Sequence, residues 1–191
     1  AYGYDYPSAG TRLKMLEESL IIYKKMTTEN FATFKGEHYE INEAINQPKP
    51  LQKPHPPLWV CGGGEKVTLK LLAKYGDYGN WDVDVEGFIS KSKILKQHCE
   101  MENRHYEDIG RTLHTNVIIG KDQSDLNNKL ERISTDTGIP KDMYLKKPLV
   151  GVKNEVFDKI DEFESHGCVY LISYIADIVW GDTLDILKEK L

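Results

Sequence analysis

The amino-acid sequence predicts an α/β fold built on a parallel sheet. From residue 58 onward, short apolar or β-branched runs alternate with amphipathic stretches of helical length, the pattern of successive βα units. The strongest break in the chain, three glycines at 62–64, falls between one such run and the helix after it. The length of 191 residues suits one domain but is short of the roughly 250 that a complete (β/α)8 barrel uses. Four βα units over 58–191 make about half of such a barrel. An open four-stranded α/β sheet has the same periodicity, and the pattern does not separate the two.

The elements follow in order. Residues 1–10, with Tyr, Gly and Pro, read as loop. A helix is predicted over 11–26, with Leu13, Leu16, Leu20 and Tyr23 on one face and Glu17, Glu18, Lys24 and Lys25 largely outside it. Neighbouring helix residues point about 100° apart, so Glu17 and Glu18 do not converge on one proton. A solvated carboxylate and a helix-face ion pair of Glu18 with Arg12 or Lys14 are expected. Residues 31–41, with Gly36 between two aromatic-containing runs, predict a hairpin. Residues 47–57 hold five of the eight prolines and predict an ordered, stiff connector over the surface.

Next comes a buried strand over 58–61, ending at Gly62-Gly63-Gly64. A helix is expected from near Glu65, with Thr68, Leu71, Leu72 and Tyr75 inward. Residues 78–81 form a second strand, and 86–101 a helix with Phe88, Ser92, Leu95 and Cys99 inward. The third strand is 112–119, followed by a helix over 123–134 through Leu126, Leu130 and Ile133. Residues 135–149 read as irregular. A helix over 153–165 uses Val156, Ile160 and Phe163 and stops at Gly167, and 168–175 is the fourth strand. Asp182 caps a last helix with Leu184, Leu187 and Leu191 inward.

Composition narrows the function. Thirty acids against 25 bases give a net charge of −5 and no footprint for nucleic acid. No apolar run approaches 18 residues, so no membrane span is expected. Cys61, Cys99 and Cys168 are far apart and form no CxxC pair, which argues against a disulfide framework or a zinc site. A reducing, cytoplasmic setting without a signal peptide is the expectation.

The candidate site is the run from strand to triple glycine to helix. Glycines let the backbone approach a ligand closely, and a helix start offers free N–H groups and a positive dipole end, so an anion, most often phosphate, is the expected guest. Lys66 adds a charge and Thr68 a hydroxyl. The spacing matches neither GxGxxG nor GxxxxGK[ST], and a flexible turn that binds nothing is the competing reading. Asn80, at the end of the second strand, offers a donor and an acceptor to a polar ring edge, while Trp81 reads as core. His114 either faces the mouth of a barrel or lies in the core. The six histidines show no metal-ligand spacing, no metal is expected, and no Gly-x-Ser-x-Gly elbow or Cys with an evident base occurs.

Several segments resemble one family. Tyr2-Gly3-Tyr4-Asp5-Tyr6-Pro7, Arg12-Leu13 and Leu16-Glu17-Glu18 are similar to the YGYxFP and RLxxLEE segments of luciferase-like flavin monooxygenases. Phe34 to Tyr39 resembles their FxGxHY hairpin, and Pro48 to Val60 their proline block. Gly62 to Leu69 and Ala73 to Asp77 resemble GGGEKxTLRLxAxYAD, the most specific part together with the prolines. The segment 151–167 is a looser match that lacks the usual Thr-Pro.

The resemblance is nearest to the coenzyme F420-dependent branch, with FMN used elsewhere in the superfamily. It implies a (β/α)8 TIM barrel with 58–61 as the fifth strand. On that basis residues 1–57 supply a helix, a hairpin and the connector, and 58–191 supply strands 5–8 of the C-terminal half. It maps a cofactor-phosphate turn onto Gly62, Gly63, Gly64 and Thr68. Cys61 stands where Gly is usual, at the strand end against the cofactor ring. Cys61, Gly62, Gly63, Gly64, Lys66, Thr68 and Asn80 are therefore the expected cofactor-binding set. The implied activity is hydride transfer or monooxygenation on a small molecule, with the catalytic residues on strands before Ala1. A half barrel leaves sheet edges bare, so a homo-oligomer or a separate N-terminal half is the expected partner. An inactive half barrel serving as a binding or structural module is the alternative, and an unrelated open α/β phosphate-binding domain a third reading.

Overall fold

The computed structural model describes Gly3 and residues 5–190. Tyr2 and Tyr4 of the first family-like segment, and Leu191 of the last helix, lie outside the described residues. Helix α1 (Ala9–Thr28) begins two residues earlier than expected because Ser8 caps it, its hydroxyl accepting from the Thr11 N–H at 3.2 Å. Strands β1 (Ala32–Lys35) and β2 (Glu40–Ala44) form the antiparallel hairpin.

Glu18 does not pair with Arg12 or Lys14. Its carboxylate accepts the backbone N–H groups of Glu37, His38 and Tyr39 at 2.7–3.0 Å, closing the hairpin turn onto α1. A carboxylate facing three converging N–H groups gains more than it does beside a mobile surface lysine. Glu17 instead pairs with Lys74 at 3.0 Å and accepts from the Tyr75 hydroxyl, and Lys74 holds its carboxyl below the usual range.

The proline connector is irregular but tied down along its length. Lys49 donates to the Met26 carbonyl at the end of α1, and the Tyr23 hydroxyl donates to the Pro56 carbonyl. His55 is buried, 3.7 Å from Asp77, and Asp77 also accepts the Leu58 N–H at 2.7 Å.

Beyond the connector the chain winds a parallel sheet from β3 (Trp59–Cys61), β4 (Tyr78–Trp81), β5 (Gly110–Gly120), β6 (Leu149–Val152) and β7 (Cys168–Tyr174). Helices α2 (Thr68–Tyr75), α3 (Val85–Met101), α4 (Gln123–Thr137), α5 (Lys141–Leu145), α6 (Lys153–Ser165) and α7 (Thr183–Lys188) follow the strands in turn, α4 and α5 both lying between β5 and β6. Strand β3 pairs with β4 and β4 with β5; β5 then pairs with β7 through residues 111–116 and with β6 through 117–120. The result is a partial barrel-like α/β domain.

Four expectations are corrected here. The strand expected as buried over 58–61 is Trp59–Cys61, and only Val60 of it is buried. Asp182 stands before α7 but its side chain makes no capping bond, the carboxylate being taken by Lys121 and Lys129. Residues 135–149 are not irregular: they contain α5 and lead into β6, so the sheet has five strands rather than four. Helix α2 starts at Thr68 instead of near Glu65, and its buried face is Leu69, Leu71, Leu72 and Ala73, with Thr68 and Tyr75 only half-buried.

One face of the sheet carries the core. Val60, Trp81 and Leu113 point into a layer formed by Leu69 and Leu72 of α2, Phe88 and Leu95 of α3, and Phe163 of α6, all buried. Phe88 meets Trp81 and Phe163 edge-on at 5.3 and 5.6 Å. A smaller cluster of Ile118, Leu126, Leu130, Ile133 and Tyr144 seats α4 and α5. Beside it, buried Lys129 donates to the Ile119 carbonyl at 2.6 Å and pairs with Asp182, with Asp125 at 3.5 Å and with fully buried Asp177 at 3.7 Å. The Thr183 hydroxyl donates to Asp177 at 2.7 Å, so the loop after β7 is anchored by charge.

The opposite face is open. Trp59 and Tyr78 stack at 4.5 Å between ring centres, and Tyr170 stands edge-on to both at 6.0 Å. Trp59 remains 37% exposed and Tyr170 55%. Among the described residues, β3 pairs only with β4 and β7 only with β5. Among them too, no helix is long and apolar enough to cross a membrane.

Candidate functional site

All strands of a parallel sheet end on the same side, where side chains and loops from several strands converge. Here a cavity of about 380 Å³ opens at that side, lined by Cys61, Gly62, Gly63, Asn80, Trp81, Asp82, Val83, Lys91 and His114. Four of the seven residues singled out from the sequence, Cys61, Gly62, Gly63 and Asn80, share it. Gly64, Lys66 and Thr68 are outside its wall: Gly64 and Lys66 are exposed, and Thr68 opens α2.

The glycines of the turn answer to different local needs. Gly62 has φ +112°, a conformation that L side chains rarely adopt. Gly63 has an ordinary φ, but a Cβ on it would lie 2.9 Å from both Cε and Nζ of Lys91. At Gly64 a Cβ would lie 2.8 Å from the Thr68 hydroxyl, which therefore sits directly over the turn. The Leu69 N–H donates to the Gly64 carbonyl at 3.0 Å, so the turn runs straight into α2.

Asn80 is held from the next strand. The Thr112 hydroxyl lies 2.9 Å from both the Gly79 carbonyl and Asn80 Oδ1, which orients the amide at the strand end. Trp81, one residue on, faces the helices and is core, as its neighbours require. His114 is half-buried on the cavity wall, its ring edge-on to Tyr174 at 5.0 Å, and is not in the core.

Sequence reasoning missed Lys91. It lies on α3, three residues after Phe88 and four before Leu95, at the margin of the inward stripe. That position was the available signal, but a lysine there reads as surface. Its ammonium donates to the Gly63 carbonyl at 2.8 Å and stands 3.9 Å from Glu65, with the side chain only 15% exposed. His98, two turns further along α3, has Nε2 2.8 Å from the Glu65 carbonyl, so α3 holds the turn at two points. Asp82 on the cavity rim is paired with Lys147 at 2.6 Å. Among the described residues no group of three or more His, Cys, Asp or Glu side chains is arranged to hold a metal. The cavity offers backbone, an amide, an imidazole, a thiol, an ammonium and one carboxylate already matched by Lys147, a set that can bind and orient an anionic ligand.

Comparison with known proteins gives the class. The model of the luciferase-like monooxygenase family matches residues 1–144, and the chain belongs to that family. It is 32% identical over 126 residues to an F420-dependent glucose-6-phosphate dehydrogenase of Kineococcus radiotolerans, a match covering 64% of this chain and 36% of that protein. It is 28% identical over 78 residues to an FMNH2-dependent dimethylsulfone monooxygenase of Pseudomonas putida, covering 41% of this chain and 21% of the relative. Its fold is that of an F420-dependent secondary alcohol dehydrogenase solved with an F420-acetone adduct, at TM-score 0.80 and 15% identity, covering 100% of this chain and 64% of that one. The long-chain alkane monooxygenase LadA superposes at TM-score 0.73 and 13% identity, covering 98% and 56%. The chain thus spans about a third of the length of the first of these curated relatives and less than two thirds of both solved structures.

Proposed function

We propose that this chain forms the cofactor-phosphate-binding portion of a deazaflavin- or flavin-dependent oxidoreductase acting on a small molecule. The observation that carries the reading is the convergence of Cys61, Gly62, Gly63 and Asn80 on one cavity at the C-terminal ends of parallel strands. Coenzyme F420 is the favoured cofactor, on the relatives in Kineococcus and Amycolatopsis, and FMN the alternative, on the relative in Pseudomonas.

The residues fit such a group. The missing Cβ of Gly63 leaves room for the Lys91 ammonium to sit against the turn, a setting for a phosphate oxygen. Gly62, Gly63 and Gly64 let the chain approach the phosphate, with Lys66 and the Thr68 hydroxyl flanking it. Asn80, held by Thr112, meets a polar ring edge, and Cys61 forms the wall under the ring. When bound and reduced, the cofactor supplies a hydride or, with oxygen, supports oxygenation. What this part of the chain contributes is binding, orientation and exclusion of water on one side.

The open sheet face and the unpaired edges of β3 and β7 support further pairing, with a second copy or with an N-terminal half that completes a (β/α)8 barrel. In that arrangement β3, β4, β5 and β7 serve as barrel strands 5–8, and β6 is an extension beside β5. Three free cysteines fit a reducing, cytoplasmic compartment. The test of the cofactor reading is a fluorescence titration with F420 and FMN. Gly63→Val is expected to weaken binding at least about tenfold with a nearly unchanged melt, because what it displaces is the flexible end of Lys91. Unchanged affinity for both cofactors would put the site elsewhere. Sedimentation at low micromolar concentration tests the pairing, and a monomer of 21.9 kDa with a cooperative melt would refute it.

A further inference from the structure

We propose that Lys91 is the anion-facing cation of this site, and that position 63 is glycine to make room for it. The inference deepens the reading above and rests on its placing of a phosphate at the glycine turn.

The geometry separates Lys91 from an ordinary surface lysine. Such a residue lays its stem along the protein and keeps its head in water. Lys91 instead turns its head onto the glycine turn, with 15% of the side chain exposed. An ammonium has three N–H donors. One is engaged by the Gly63 carbonyl at 2.8 Å. Glu65 at 3.9 Å is beyond hydrogen-bond range, so donors remain beside the cavity that Lys91 lines.

A purely mechanical role does not need this charge, because His98 already holds the Glu65 carbonyl from the same helix. The nearby acids leave the charge in place. Asp82 is matched by Lys147, and the Asp84 carboxylate accepts the Gly87 N–H at 2.8 Å as the cap of α3. Glu65, with a side chain 55% exposed, is among the described residues the one acid close enough to compete for the ammonium. A phosphate oxygen arriving over Gly63 would take the free N–H directions while the Gly63 bond stays, so binding needs no rearrangement of the turn.

The test uses the full chain and inorganic pyrophosphate, followed through the backbone amide resonances of residues 62–69, with melts as controls for folding. Lys91→Met keeps the alkyl stem and is expected to weaken pyrophosphate about tenfold or more and to flatten its salt dependence. Glu65→Gln removes the competitor and is expected to tighten binding several-fold. Gly63→Ala, which keeps the charge but pushes the ammonium aside, is expected to weaken it. Pyrophosphate that binds Lys91→Met as tightly as the unsubstituted chain, or that does not bind the unsubstituted chain at all, overturns the inference. So does loss of affinity in Glu65→Gln equal to that in Lys91→Met, which would mark both as braces of the loop. F420 and FMN are titrated separately. Lys91-dependent pyrophosphate binding without affinity for either cofactor keeps this inference and removes the cofactor reading. Cofactor binding indifferent to Lys91 does the reverse.

Discussion

The two faces of the one sheet differ in kind. On the helix-covered face, Val60, Trp81 and Leu113 are buried among apolar neighbours and their role is cohesion. On the other, Trp59, Tyr78 and Tyr170 lie partly bare at one end of the strands, and Cys61, Asn80 and His114 line the cavity at the other. Strand β4 shows the division over two adjacent residues, since both border the cavity but Asn80 is only half-buried there while the Trp81 ring is buried in the core. Period-two alternation lets neighbouring residues serve stability and recognition independently. A substitution on one face should therefore be silent on the other.

The largest effect is expected from Phe88→Ala. Deleting a fully buried ring between Trp81 and Phe163 should cost about 3–5 kcal/mol in urea unfolding. Trp59→Ala removes a larger ring from the open face and, in the unpaired chain, should cost only about 1 kcal/mol, mainly its stacking on Tyr78. If Trp59→Ala costs as much as Phe88→Ala and the loss depends on protein concentration, the open face is covered by a second chain and the contrast disappears.

Lys129→Ala comes next, at about 3 kcal/mol, because it leaves buried Asp177 without its cation. The acid limb of stability checks the same network. Lys121 and Lys129 hold the Asp182 carboxyl down at about 2, below an unfolded value of about 3.9. Its contribution is therefore complete above about pH 4 and lost as the pH falls toward 2, and a Lys129→Ala series across this range should show a shallower decline. Glu18→Ala is expected to act locally. Amide exchange at Glu37, His38 and Tyr39 should quicken while the main melt barely moves. The smallest effect on the fold is expected for Cys61→Gly, under about 1 kcal/mol, while cofactor affinity shifts.

Much of this division was legible beforehand, and the exceptions have physical causes. Phe88, Ser92, Leu95 and Cys99 were expected inward at helical spacing, and all four are buried. Strand β4 occupies the residues expected of it. Strand β6 escaped notice because it has four residues and no turn after it; Val152 ends the strand and directly precedes α6, its N–H donating to Glu155. Before it, Gly138, Pro140 and Pro148 punctuate a segment with room only for the short α5. Within the site, the glycine turn announces itself because glycine is costly without a reason. Lys91 and Lys129 do not, since a lysine that turns inward leaves the same letter as one that turns out. Glu18 belongs with them: its partners lie 19 to 21 residues away, beyond any local spacing rule.

Strand β5 has 11 residues and carries three ladders, to β4, β7 and β6. Detaching any of those three from the sheet breaks the single ladder to β5 and at most one more, whereas detaching β5 breaks all three at once. Partial openings of the molecule can shed the hairpin, the turn after β3 or the loop after β7 and leave β5 paired. Its amides from Leu113 to Ile118 should then exchange with solvent only when the whole chain unfolds, and their exchange free energy should equal the global stability. The strand should then serve as an internal clock for the molecule, the other segments opening each at its own rate and β5 last.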